Sequence, residues 1–487
     1  MVGGGVGGLT AALALGRAGH SVTLLERDPL PPTADAEEAF LAERRGAPQV
    51  HQTHGFLARL QVELREHFPD VLADLLAAGG MTMPMTANLG EPRPGDEDLK
   101  VIIVRRTTLE WVLRKAVLAQ PGIEVRTGAA VSGLLTTSVN PGGRNADVAV
   151  HRPCLVKGVR VDGDVIEADV VIAATGRRGP VPQWLAEAGV EVPETVHESG
   201  LMYLTRWYHR PWSTEEIDPK LGGDLGFVKY LGVPGDGNTL SVTLAVRTAD
   251  SDLRQALSHP DRFDLACRLL PGPDQFFAHG PLTPIGDVRP MTGLINRLRR
   301  FTDEAGNPSV IGFHALGDAH TTTNPLYGRG CALAVVQATL LAEAFATHPD
   351  DPIARSAAYE SACDREVAPW FEASVQMDRM GSDPGGSGAI GAGDGPASDA
   401  AKAMAAVFAA AATHPVIGRG IARLMNLLIP PTALMSDGEF LTAVADVIAN
   451  PDAYPQPERA GPTRSELLSA LAAVPESATS RVLDHTV

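Results

Sequence analysis

The chain begins Met-Val-Gly-Gly-Gly-Val-Gly-Gly-Leu, and Gly3, Gly5 and Gly8 fit the spacing Gly-x-Gly-x-x-Gly. Few short patterns constrain a fold as strongly, because this one needs a strand before it and a helix after it. Apolar residues Leu9, Ala12, Leu13 and Leu15 then recur at helical spacing up to Gly19, and Val22-Thr23-Leu24-Leu25 reads as a strand ending on Glu26. The first glycine permits a tight turn, the second lets a pyrophosphate approach the backbone, and the third lets helix and strand pack closely. The helix start presents free N–H groups to the phosphates. Glu26 lies eighteen positions after Gly8, where a carboxylate can accept hydrogen bonds from a ribose diol. Only Met1 and Val2 precede the glycines, where a strand of about five residues is expected. Either that strand is unusually short or the start is misassigned.

FAD and NAD share this fingerprint, so a second feature has to separate them. Gly317-Asp318-Ala319 is followed by Asn324-Pro325-Leu326-Tyr327-Gly328-Arg329-Gly330 and then a helical pattern from Cys331. An acid on a loop ahead of a helix suits the ribityl hydroxyls of a flavin, and the glycines let the helix start face the flavin ring. A nicotinamide dinucleotide has no ribityl chain to hold.

Between these motifs, 101–104 reads as a strand, 108–118 as a helix and 123–125 as a further strand. Val170-Val171-Ile172 reads as a strand buried on both faces, leading into Ala174-Thr175-Gly176-Arg177. Across 239–247 Leu240, Val242, Leu244 and Val246 alternate with polar residues, the pattern of a half-exposed antiparallel strand and hence of a second sheet. Residues 381–400 are rich in glycine, as in a flexible linker, and 401–450 are helix-like with breaks at His414-Pro415 and Ile429-Pro430-Pro431.

With these residues in view, the chain resembles the FAD-dependent monooxygenases of the para-hydroxybenzoate hydroxylase type (group A). Their pattern combines an N-terminal dinucleotide fingerprint, a middle Asp-Gly or Ala-Thr-Gly element and a late Gly-Asp followed by Pro-x-x-Gly-x-Gly. Within that group it most resembles the bacterial polyether epoxidases and their uncharacterised actinobacterial relatives. The stretches that carry this are Arg44-Arg45-Gly46-Ala47-Pro48-Gln49 with His54, Arg106 ahead of Leu109-Glu110, Pro281 to Pro284, and Asn324 to Gly330. The resemblance covers roughly residues 1–440.

The resemblance implies an α/β fold: a Rossmann-like FAD-binding domain of the glutathione-reductase type, an inserted, mainly antiparallel β-sheet substrate domain and a C-terminal helical region. The expected boundaries are 1–185 and 286–350 for the two parts of the FAD domain, 186–285 for the sheet domain, 351–380 for a helix, 381–400 for the linker and 401–487 for the helical region. By the same resemblance Gly3, Gly5, Gly8 and Glu26 hold the adenosine half. Arg44 and Arg106 reach the phosphates or ribityl region, Gly317 and Asp318 the ribityl chain, and Pro325, Gly328 and Gly330 border the isoalloxazine. The chain has Ala332 where many relatives have Asn, so a flavin contact there is made by backbone. Ala-Thr-Gly in place of Asp-Gly leans toward epoxidase, halogenase and geranylgeranyl-reductase branches and away from a phenolic substrate.

The implied activity is oxygen transfer from a flavin hydroperoxide, with NAD(P)H as reductant and without a Rossmann domain of its own. The cofactor carries the difficult step and the protein shields and orients. Epoxidation or hydroxylation of a hydrophobic alkene or polyketide-like molecule is expected. The substrate is expected against Met202, Tyr203 and Leu204, or Leu240 to Val246. Two other readings remain: a flavin-dependent alkene reductase of the geranylgeranyl-reductase type, and a flavin-free lipid-binding carrier like the Rab GDP-dissociation inhibitors. His320 is a candidate proton donor. His51 and His54 are three apart with no third ligand spaced for a metal, and Cys331 at a helix start is most simply a packing residue. Trp207 to Trp212 only superficially resembles the halogenase Trp-x-Trp-x-Ile-Pro element.

Composition narrows the remaining classes. A formal net charge of −17 argues against nucleic acid as a partner. Four dispersed cysteines, Cys154, Cys267, Cys331 and Cys363, argue against a disulfide framework and for a reduced, cytoplasmic protein. The run 331–346 is broken by Gln337, Thr339 and Glu343, so no membrane-spanning segment is expected, and the glycine-rich start lacks the form of a signal peptide.

Overall fold

The structure, a computed structural model, describes residues 1–30, 32–137, 154–213, 221–382, 399–455 and 461–474. Of the linker expected at 381–400, 383–398 lie outside the described residues, and its two ends belong to the helices Ala368–Ser382 and Asp399–Ala410.

The glycine turn does what its spacing requires. Gly3 has φ +105°, and a Cβ there would lie 2.3 Å from the Ala174 carbonyl oxygen. A Cβ on Gly8 would lie 1.9 Å from the Gly3 carbonyl oxygen, so the helix Val6–Arg17 can approach the strand only without a side chain there. Met1 and Val2 are enough to bridge the sheet. Val2 N donates to Ile172 O at 2.8 Å, Ala174 N to Val2 O at 2.8 Å, and Gly3 N to Leu25 O at 2.8 Å. The result is a parallel layer in the order Ile123–Thr127, Val22–Glu26, Met1-Val2, Val171–Ala173, Phe313–Ala315. This is a Rossmann-like layer, with Val6–Arg17 packed against the helix Arg329–Thr347 around Leu9, Leu13, Val335 and Val336. A smaller antiparallel sheet of Val131–Thr137, Cys154–Val161 and Asp164–Glu167 joins Val310–Ile311.

The helix Arg329–Thr347 is long and apolar enough, at a mean hydropathy of 1.5, to span a membrane, contrary to the sequence expectation. More than half of its apolar window is buried in the protein core, where it serves as the central packing helix.

The second sheet runs Gly222–Asp224, Val228–Gly235, Thr239–Arg247, Leu201–His209, Thr283–Met291, all antiparallel, so its last strand continues past residue 285. Leu204, Tyr208, Leu240, Val242, Leu244 and Val246 form one core with the helices Ser251–Leu257, Pro260–Leu269 and Pro273–His279. The expected half-exposed strand 239–247 is mostly buried, because its polar face turns toward the interior as well. Residues 351–380 form two helices, Pro352–Glu366 and Ala368–Ser382.

The C-terminal helices Asp399–Ala410, Pro415–Met425, Pro431–Leu434 and Gly438–Ala449 break where the prolines predict. They are bound to the first domain through Arg419, which bonds Asp96, Leu89 O and Glu91 O. The last helix, Arg464–Ala472, returns to the sheet domain and buries Leu467 and Leu471 in its core.

One buried ion pair joins the two sheets' domains. Asp236 sits in the tight turn between Val228–Gly235 and Thr239–Arg247, and its carboxylate accepts from Arg105 N (2.7 Å), Nε (3.1 Å) and Nη2 (2.9 Å), and from Thr108 Oγ1 (2.6 Å). The two side chains are 2% and 1% exposed. Arg105 also meets Glu37 at 2.8 Å and lies 4.6 Å over the Phe40 ring. Removing one partner strands a buried charge, which costs about 3–5 kcal/mol. Asp236→Ala is therefore expected to lower the unfolding free energy by about that amount in urea titrations; a loss below about 1 kcal/mol would show that the pair does not hold the domains together.

Candidate functional site

A single cavity of about 640 Å³ runs from the glycine turn to the second sheet. Of the expected residues, Gly3, Gly5, Glu26, Arg44, Arg106, Gly317, Asp318, Pro325, Gly328 and Gly330 line it. Gly8 does not; it lies one layer back, where it permits the helix to pack.

At the glycine end, a Cβ on Gly5 would meet nothing within 4 Å, so that backbone faces open space, and no side chain caps the helix that starts after it. Glu26 ends its strand inside the cavity. Its Oε2 accepts from Gly4 N at 2.7 Å and its Oε1 from Asp28 N at 2.9 Å, which fixes the carboxylate against the turn. Arg44 lies 3.9 Å from Glu26, 3.4 Å from Asp28 and 3.3 Å from Glu110, yet its buried Nε makes no hydrogen bond. Thr175 Oγ1, also lining the cavity, is buried without a partner.

Asp318 lies on the turn Gly317–Ala319 after Phe313–Ala315. That turn is clamped from behind. Gly317 N donates to Gln337 Oε1 (2.8 Å), Arg297 Nη2 to the carbonyls of Arg177 (2.7 Å) and Asp318 (3.1 Å), and Arg299 Nη1 to Ala319 O (2.7 Å). Burial pushes the Asp318 carboxyl pKa up from its ordinary value, against the pull of Arg106, Arg177 and Arg297. Its carboxylate has no hydrogen-bond partner among the described residues, and the start of Arg329–Thr347 lies beside it, with Gly330 bordering the same space.

The loop Asn324–Gly328 is held by a buried polar network. Asp378 accepts from Asn296 Nδ2 (2.6 Å), Asn324 Nδ2 (2.8 Å) and Tyr327 OH (2.8 Å), and Asn324 Oδ1 accepts from Tyr203 OH (2.6 Å). Arg329 turns away from the cavity to Trp370 O and Ser374 Oγ, over the Tyr327 ring.

Sheet register explains the other wall. Asp224, Lys229, Ala245, Tyr203 and Met291 are cross-strand partners in one row, and all five line the cavity. Thr243 in the next row bonds Thr205 and Thr53. Of the expected substrate surface, Tyr203, Thr243 and Ala245 thus face the cavity. Met202, Leu204, Leu240, Val242 and Leu244 point the other way, into the core behind the sheet, because side chains alternate along a strand.

His320 is not brought to the cavity. It is 3% exposed, bonded to Thr321 Oγ1 (2.7 Å) and Glu360 Oε2 (3.3 Å), and packed against Phe301 and Tyr359. His54 does line the cavity. Burial, with Arg106 beside it, pushes its pKa down to about 3. His51 is pushed down to about 4 by burial and Arg289. Arg297, Arg299 and Gln337 were not legible as site residues; the alternation of Arg297 and Arg299 about Leu298 in a buried strand is the signal that could have found two of them.

Residues 1–38 match the family model of an NAD(P)-binding Rossmann-like domain. No curated protein matches the sequence. In three dimensions the chain is similar to PqsL, a probable FAD-dependent monooxygenase from Pseudomonas aeruginosa, at 16% identity and a TM-score of 0.56, covering 78% of this chain and 93% of that one. It is similar to p-nitrophenol 4-monooxygenase PnpA from Pseudomonas putida at 17% and 0.59, covering 88% and 97%. Diels-Alderase PyrE3 of the pyrroindomycin pathway aligns at 16% and 0.59, covering 88% and 80%. These likenesses establish a shared fold.

Two consequences are testable. Gly8→Ala is expected to cost about 1–3 kcal/mol by overpacking, whereas Gly5→Ala changes stability by no more than about 0.5 kcal/mol; equal losses in thermal unfolding would contradict the assignment of the turn. His51, His54 and His314, the last also held at about 3 by burial and Arg355, stay neutral when folded but take up protons below about 6.5 when unfolded. Stability is therefore lost as pH falls from 6.5 toward 4, at about 1.4 kcal/mol per pH unit for each group that titrates only in the unfolded chain. Urea unfolding at pH 7 and pH 5 checks it, and unchanged stability would contradict it.

Proposed function

We propose that the protein is an FAD-dependent monooxygenase that uses NAD(P)H and O2 to epoxidise or hydroxylate a hydrophobic small molecule, in the cytoplasm. The observation that carries this is the one continuous cavity, which joins the glycine turn, Glu26, Arg44, Arg106 and Asp318 to the floor formed by the second sheet. A nicotinamide dinucleotide alone would leave Asp318 and the Pro325 loop without a role.

The residues fit FAD on their own terms. Gly5 leaves the space a pyrophosphate occupies, and the uncapped helix start supplies N–H donors to it. Glu26 is fixed so that its remaining lone pairs can accept from a ribose diol. Asp318, without a partner for its carboxylate, can accept from ribityl hydroxyls. When bound and reduced, the flavin supplies the activation of dioxygen. The protein's part is to hold the reacting edge against the Tyr203–Ala245 row, with Met291 and Leu326 beside it, and to keep water from that face.

Purified protein is expected to be yellow, or to become so with FAD. Asp318→Ala should weaken FAD binding by about tenfold or more, the worth of charge-assisted hydrogen bonds. Gly5→Ala should weaken it too while leaving the fold intact. NADH or NADPH oxidation should consume O2. Turnover that persists under strict anaerobiosis would favour an alkene reductase, and protein that stays colourless with FAD would favour a carrier.

A further inference from the structure

His54 has a chemical state fixed by its surroundings. Its Nδ1 lies 2.9 Å from the Gln52 carbonyl oxygen. A carbonyl only accepts, so Nδ1 carries the hydrogen and Nε2 keeps its lone pair. Nε2 has no partner among the described residues, and the ring lies on the cavity wall, stacked 6.0 Å from Phe56. Burial and Arg106 keep it neutral.

The segment that carries it spans the two halves of the site. Gln52 and Thr53 bond Thr205 and Thr243 of the sheet floor, and Gly55 abuts Gly328 of the Pro325 loop. His54 therefore stands where the sheet floor meets that loop. A second group on the same wall has its direction fixed in the same manner. Asp378 accepts from Asn324 Nδ2, so Asn324 presents Oδ1 to Tyr203 and the Tyr203 hydroxyl must donate to it. The Tyr203 hydroxyl is thereby spent on this buried network, whereas His54 keeps the Nε2 lone pair on the cavity wall.

We infer that His54 is a specificity-determining residue whose Nε2 accepts a hydrogen bond from a hydroxyl or amino group of the substrate. The substrate class is then an apolar molecule carrying an O–H or N–H donor, not one presenting only ether, carbonyl or carboxylate oxygens. Such oxygens would face the Nε2 lone pair, and a site built for a donor rejects analogues that lack it. This rests on the reading of the cavity as holding FAD and substrate together.

The test titrates FAD-loaded protein with two matched pairs of probes, β-naphthol and its methyl ether, and para-phenylphenol and its methyl ether, following the flavin absorbance. FAD content is counted in every sample. Wild-type protein should bind each phenol about tenfold tighter than its ether. His54→Leu should bring the two within about threefold, chiefly by weakening the phenol, and His54→Gln, which keeps an acceptor oxygen, should restore part of the gap. A gap that persists in His54→Leu, an equal loss for both members of a pair, or no binding of either phenol to the wild type overturns the inference. FAD loss in either variant assigns the acceptor to the cofactor instead and also overturns it. Wild-type protein that takes up no FAD defeats the proposed function itself.

Discussion

The place of the cavity's sheet floor against the first domain rests on one buried ion pair. Arg105 precedes the helix that carries Arg106 into the site, and Asp236 closes the hairpin of the sheet that forms the floor. With both side chains essentially without solvent exposure, the pair is worth keeping only because four donors satisfy one carboxylate and Glu37 takes a further guanidinium hydrogen. It fixes how far the floor stands from Arg106. The 640 Å³ cavity opens between that floor and the first domain.

A second layer of constraint is polar and lies behind the motifs. Arg297, Arg299 and Gln337 hold the Asp318 turn by its backbone, and Asp378 holds the Pro325 loop through Asn324 and Tyr327. The Asp318 carboxylate, by contrast, lines the cavity with no hydrogen-bond partner among the described residues. Satisfied polar groups behind an unsatisfied face are what a preorganised ligand site requires.

The parts legible in the sequence were those in which local geometry and chemistry coincide. Gly3 and Gly8 are dictated by carbonyl oxygens 2.3 and 1.9 Å from where a Cβ would sit, so the motif, the turn and the parallel layer could be read together. The proline breaks of the C-terminal helices are equally local. What was not legible depends on contacts distant in sequence. The sheet's alternation at 239–247 was visible, but which face met the cavity was not, because Leu240 and Val242 pack on helices placed by later chain and on Leu467 and Leu471. His320 follows the Gly-Asp motif directly, yet the backbone turns it toward Glu360 and Tyr359. His54, whose ring faces the cavity, carried no signal beyond its place after Gln49.

The central claim is that one cavity holds a flavin at the glycine-turn end and a substrate over the sheet. A crystal structure of the protein grown with FAD tests it most directly. The account predicts the pyrophosphate at Gly5, the ribityl chain at Asp318 and the isoalloxazine between the Pro325–Gly328 loop and the row of Tyr203, Ala245 and Met291. A dinucleotide bound with its second half outside this cavity, or a ring placed away from that row, would contradict it.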